Sequence, residues 1–160
     1  GASVASGKLS ILATAPNGRI EFDGKPLAAE ARFPDVFEAT VQPSPGEHTI
    51  RLVWEGGFEE IRIWYGPNAP EGFLAFRSHP PAAVECTQCH AVSRRGRFRF
   101  SGGCFDCHRQ EGFVATHQHP SHVFERCGTC HNAHGSTAKS HFVKEKKDVC
   151  GLCHTVPVAP

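Results

Sequence analysis

Four copies of one pattern, Cys-x-x-Cys-His, occupy the second half of this 160-residue chain: Cys86 to His90, Cys104 to His108, Cys127 to His131 and Cys150 to His154. All eight cysteines fall in these copies, so none remains for a disulfide or a nucleophile. Two intervening residues put both thiols on one side of a single turn, and the next residue sets an imidazole beside them. Covalent haem attachment uses this arrangement: the thiols add to the two porphyrin vinyl groups and the histidine ligates the iron. The pattern predicts four covalently bound c-type haems, held by Cys86, Cys89 and His90, by Cys104, Cys107 and His108, by Cys127, Cys130 and His131, and by Cys150, Cys153 and His154. Paired Cys-x-x-Cys also builds zinc knuckles. Zinc gives no reason for a histidine after every second cysteine, and a disulfide scaffold gives none for the fixed spacing.

Successive copies begin 18, 23 and 23 residues apart, so a short length of chain must surround four macrocycles. Each porphyrin is larger than any side chain and mostly apolar, so the haems themselves supply the buried surface. The expectation for this half is a haem-packed domain of short helices and loops with little regular structure. Macrocycles so crowded lie nearly in contact, which favours rapid electron exchange along the row. Without haem this half is not expected to fold, because ligand binding and folding are coupled in small sites of this kind.

Charge divides the chain at the same place. Residues 1–76 carry six Lys and Arg against ten Asp and Glu; residues 77–160 carry eleven against six. Haem propionates compensate such a basic excess, so it is not read as a nucleic-acid patch. The run Arg94-Arg95-Gly96-Arg97-Phe98-Arg99-Phe100 interleaves basic and aromatic residues. At strand spacing it predicts Arg97 and Arg99 facing propionates and Phe98 and Phe100 packing on porphyrin.

The second axial ligands decide between carrier and enzyme. The chain has no Met, which excludes His/Met ligation. Outside the motifs this half offers His79, His117, His119, His122, His134 and His141, enough for four irons. Histidine on both faces leaves no open position, which favours electron transfer over catalysis. His134 follows His131 by three residues and points the same way on a helical turn, so it must ligate a different haem. His117 and His119 stand two apart in an extended stretch and face opposite ways.

The first part reads as β. Apolar residues alternate over Leu9–Ala13, Ile20–Phe22, Phe37–Val41, Thr49–Trp54 and Phe58–Tyr65, with turn signals at Pro16-Asn17-Gly18, Asp23-Gly24, Pro43 to Gly46 and Gly56-Gly57. These predict a small all-β antiparallel sandwich, with Trp54, Trp64 and Tyr65 in its core and His48 on its surface. The linker is Pro67 to Gly72. The expected domains are a β-sandwich over 1–72 and a tetrahaem domain over 73–160.

Two resemblances follow. The stretch Ala15 to Lys25 with Pro45 to Leu52 resembles PEGA-type and related immunoglobulin-like surface modules, which implies a structural or adhesive role. The stretch His119 to His154 resembles the doubled Cys-x-x-Cys-His family of multihaem cytochromes: His119-Pro120, Phe124, the third motif, His134-Gly135, then the fourth motif. That resemblance implies His119 and His134 as distal ligands, and His79-Pro80 gives His79 the same role ahead of the first motif. The first unit departs from the pattern, with Ala91-Val92-Ser93 where a second histidine should stand. Its missing ligand is expected from His117, His119, His122 or His141.

The functional expectation is an exported electron-transfer protein conducting along closely packed bis-histidine haems, with redox proteins or extracellular acceptors as partners. A subunit of a polymeric cytochrome filament is the alternative, since filament-forming relatives carry such haem rows. A small-oxyanion reductase is disfavoured because all four motifs end in His. Haem attachment of this kind occurs outside the cytoplasm, so Gly1-Ala2-Ser3 reads as a mature N-terminus and the location as periplasmic, extracellular or cell-surface. No stretch has the roughly 20 apolar residues of a membrane span.

Overall fold

The computed structural model of the chain describes residues 1–15, 17–79, 85–114, 119–124 and 126–155. It is β-rich, with few short helices, and divides into two units: Gly1–Phe76 with Val92–Phe98, and Arg77–Ala91 with Arg99–Pro160.

The first unit holds β1 (Ala2–Val4), β2 (Leu9–Thr14), β3 (Arg19–Phe22), β4 (Lys25–Pro26), β5 (Ala29–Phe33), β6 (Val36–Val41), β7 (Gly46–Trp54), β8 (Gly57–Tyr65) and β9 (Leu74–Ala75). All five alternating runs fall in strands, namely β2, β3, β6, β7 and β8. One sheet has the order β4-β3-β7-β8-β1-β9 and a second the order β2-β6-β5. The longest pairing is the β7–β8 hairpin, in register from Gly46↔Tyr65 to Trp54↔Gly57. Asp23 (φ 50°) and Gly24 (φ 74°) both take left-handed backbone, the geometry that turns β3 into β4 without splaying the strands.

The sheet is not wholly antiparallel as expected, because β1 runs parallel to both β8 and β9. Three residues are too few to show a period. What fixes β1 is backbone pairing: Leu74 donates to the Gly1 carbonyl, Phe76 to Ser3 and Gly66 to Val4.

The core of this unit draws on both sheets: Ala13, Ile20 and Ala39, with Ile11, Leu27, Ile50 and Leu52 packed round them. Ile20 is 2% exposed, and burying it contributes about 2 kcal/mol. Tyr65 is buried as expected, its hydroxyl donating to the Gly7 carbonyl at 2.9 Å. Trp54 and Trp64 are only half-buried. Trp64 alternates away from the buried Ile63 and Tyr65 and sends its indole N–H to the Pro67 carbonyl. His48, expected at the surface, is buried (9% exposed). In Val92–Phe98, the Phe98 ring rests 4.5 Å from that of Phe33.

The second unit is built differently. Its strands are β10 (Arg77–Ser78), β11 (His90–Val92), β12 (Phe98–Phe100) and β13 (Gly135–Ser136), and its helices are α1 (Gln110–Val114), α2 (Ser121–Phe124) and α3 (Lys146–Cys150). The hairpin β11–β12 carries its tip, Val92–Phe98, in the first unit. β10 pairs antiparallel with β13 through Arg77↔Ser136 and Ser78↔Gly135. Among the described residues after Phe76, Val149 is the one buried hydrophobic side chain, while Val92, Phe100, Phe105, Val143 and Leu152 are exposed. Among the described residues, side chains alone give this unit almost no core. No helix among the described residues is long and apolar enough to cross a membrane.

Candidate haem-binding site

The four motifs share one local geometry. Three open on a single helical turn, at Cys86–Gln88, Cys104–Asp106 and Cys127–Thr129, and the fourth follows from the last residue of α3. In each, the second cysteine's N–H donates to the first cysteine's carbonyl, at 3.2, 3.3, 3.1 and 3.2 Å in chain order. The N–H groups of His108, His131 and His154 close on the same carbonyls at 3.0, 2.9 and 2.9 Å. These bonds hold the two thiols on one side of the turn, as double thioether attachment requires. None of the eight cysteines is in a disulfide. The Cys104 thiol meets that of Cys127; burial, then this neighbour, pushes Cys104 above the usual thiol value. Burial and the nearby Cys150 and Cys153 do the same to Cys130.

Opposite three motif histidines stands a second imidazole. His134 faces His90 with ring centroids 5.8 Å apart and planes 14° from parallel. His79 faces His108 at 5.8 Å and 15°. His119 lies 6.1 Å from His154, tilted by 52°. Two metal–nitrogen bonds of about 2 Å, with the half-widths of two rings, separate axial imidazoles by about 6 Å. The three centroid separations, 5.8, 5.8 and 6.1 Å, are near that spacing.

One ring nitrogen is committed in His79, of the second pair, and in His131, the motif histidine outside the three pairs. His79 Nδ1 lies 3.0 Å from the Ala133 carbonyl and His131 Nδ1 2.8 Å from that of Ser140. A carbonyl only accepts, so Nδ1 carries the proton in both and Nε2 is left to ligate, the usual outer partner of a metal-bound histidine. Phe142 stacks on the His131 ring at 4.9 Å. Ser140 and His141 both have left-handed backbone, φ 57° and 55°, held by the His131 contact and by Asn132 N–H donating to the His141 carbonyl at 2.7 Å. No residue-type signal announces such carbonyl acceptors, and they are invisible in the motif spacing.

The remaining candidates are placed as follows. His141 lies 5.2 Å from His79, tilted by 55°, and its Nδ1 is buried with no hydrogen-bond partner among the described residues. His122 is exposed on α2. His117 lies outside the described residues. The ring nearest His90 across this gap is that of His134. More than a third of the His134 surface is accessible, yet the atoms crowded round its ring, then His90 and His79, hold it below the ordinary histidine value. Phe100 sets its edge against His90 at 5.9 Å. Among the described residues no three His, Cys, Asp or Glu side chains converge as a metal cluster would need.

Residues 119–158 match a family model described as a doubled CXXCH motif. The matched segment is about a quarter of the chain and contains the third and fourth motifs with His119 and His134. The match supports a multihaem c-type cytochrome, with covalently bound haem and electron transfer as its chemistry. No curated protein and no solved structure matches the chain.

Proposed function

We propose that the protein is an exported electron carrier with four closely packed c-type haems, each ligated by two histidines. The observation that carries this reading is the set of facing imidazoles, which pairs motif histidines with three of the six free ones. On this reading His90 and His134 serve the haem on Cys86 and Cys89, His108 and His79 that on Cys104 and Cys107, and His154 and His119 that on Cys150 and Cys153. His131 serves the haem on Cys127 and Cys130, with its second ligand from His117, His122 or His141. Haem supplies a one-electron couple; the chain's part is to hold each iron from both faces, so no position opens to a substrate and the protein is not an enzyme. The exposed Val92, Phe100, Phe105 and Leu152 are apolar surface for porphyrin to cover.

The first unit is read as a small immunoglobulin-like or PEGA-like sandwich with a structural or adhesive role. Because thioether-linked haem of this kind is attached outside the cytoplasm, this reading puts the protein in the periplasm or at the cell surface, with redox proteins or extracellular acceptors as partners and no nucleic acid. A filament subunit is the second reading. One feature favours it: β2, six uncharged residues, stands at the end of its sheet with one edge unpaired among the described strands.

Intact mass after acid denaturation tests the proposal: four haem additions are expected, with no high-spin band in the ferric spectrum. Fewer additions, or a stoichiometric high-spin haem that binds cyanide, overturns it. Electron micrographs separate monomers from fibres.

A further inference from the structure

His48 is the one histidine outside the haem half, and its surroundings have no part in haem binding. It sits on β7 at 9% exposure, with the Phe22 ring 4.9 Å from its own. Its Nδ1 lies 2.7 Å from Asp23 Oδ2 and its Nε2 2.7 Å from the Ser44 carbonyl oxygen. Both oxygens accept only, and a neutral imidazole has a single N–H to donate. A bare nitrogen 2.7 Å from an acceptor is repulsive. Only the doubly protonated ring satisfies both contacts.

We propose that His48 is carried as an imidazolium and latches the β3–β4 turn to the loop before β7, releasing both as pH rises. The latch has three anchored sides. Asp23 Oδ1 accepts the Thr49 N–H at 2.9 Å, and Asp23 N–H donates to the Thr49 carbonyl at 2.9 Å, so the turn is fastened to the same strand. Across the sheet His48 pairs with the apolar Ile63 of β8. From β4, Lys25 is the other charge acting on Asp23. Glu47, next along β7, is paired with Arg62 on the opposite face.

Burial opposes charge on the ring, but the bonds to Asp23 and Ser44 outweigh it and raise the histidine above its ordinary value. Burial would lift the Asp23 carboxyl, but His48 and the Thr49 amide hold it below its own. A raised histidine contributes stability that is complete below its unfolded value and is lost as pH climbs through the folded one. A lowered carboxylate contributes from above its unfolded value and fails as pH falls through the folded one. The latch is closed between those limits and opens on the alkaline side.

The test uses reduced, full-length holoprotein. Nuclear magnetic resonance titration of the His48 ring should show its proton held more tightly than in free histidine, with Asp23→Asn removing most of that gain. Hydrogen-exchange protection of the 43–50 segment, corrected for intrinsic rate, should fall about tenfold across the same pH range in the wild type and stay flat in His48→Gln. Titration at or below the ordinary histidine midpoint, or protection in the wild type that does not change across it, overturns the proposal. If His48→Gln fails to fold, Asp23→Asn decides in its place: a downward shift in the midpoint of exchange supports the latch, and an unmoved midpoint overturns it.

Discussion

His79 and His134 lie at the end of one short ladder, where the His79 N–H reaches the His134 carbonyl at 3.4 Å, yet they face different motif histidines. On the bis-histidine reading, His79→Ala and His134→Ala should each leave four thioether-bound haems and turn one of them high-spin. The double variant should turn two. Electron paramagnetic resonance of the ferric protein counts them, and unchanged low-spin spectra in both single variants would pass the distal roles to His117, His122 and His141. Ser140 offers a second test, because its left-handed backbone presents the carbonyl that orients His131. Ser140→Val should cost about 1–3 kcal/mol and perturb the spectrum of one haem, whereas Ser140→Gly should be neutral or stabilising by up to about 1 kcal/mol in thermal unfolding. The motif residues were legible because two thioether bonds and a ligand demand a fixed local spacing. His48 was not legible: its partner Asp23 reaches it only after β3 and β7 have paired, and the Ser44 contact is to a backbone carbonyl that no residue type announces.

Strands were legible where period two runs long enough to mark a face. The five runs of the first unit qualify, and β1 and β9, at three and two residues, do not. Within the paired sheets Ala39 is 1% exposed and packs with Ala13 and Ile20, so the close approach there depends on small side chains. Ala39→Leu should destabilise the first unit by about 1–3 kcal/mol, read from its denaturant midpoint, with haem content unchanged. The hairpin β11–β12 shows the limit of periodicity. Alternation does not say what each ring meets: Phe98 finds Phe33, and Phe100 finds His90.

At the scale of the molecule, haem attachment rests on motif turns closed by bonds only a few residues apart, and the first unit supplies none of them. A chain starting at Gly72 should therefore still acquire four haems on export, measured by intact mass. It should also aggregate in light scattering, because Phe98 has lost Phe33 and new apolar surface is bare. Loss of haem loading in that truncation would show that the two halves mature together. The pairing of His90 with His134, and of His108 with His79, also bears on biogenesis. If the chain is exported N-terminus first, as proposed, it presents its first attachment motif early, but the imidazole opposite that motif's histidine arrives only after the third motif has passed. The second motif finds its opposite imidazole already waiting. On the bis-histidine reading, the earliest cofactor to be joined would be among the last to be finished, and until then its iron would stand exposed to whatever small molecules the compartment contains.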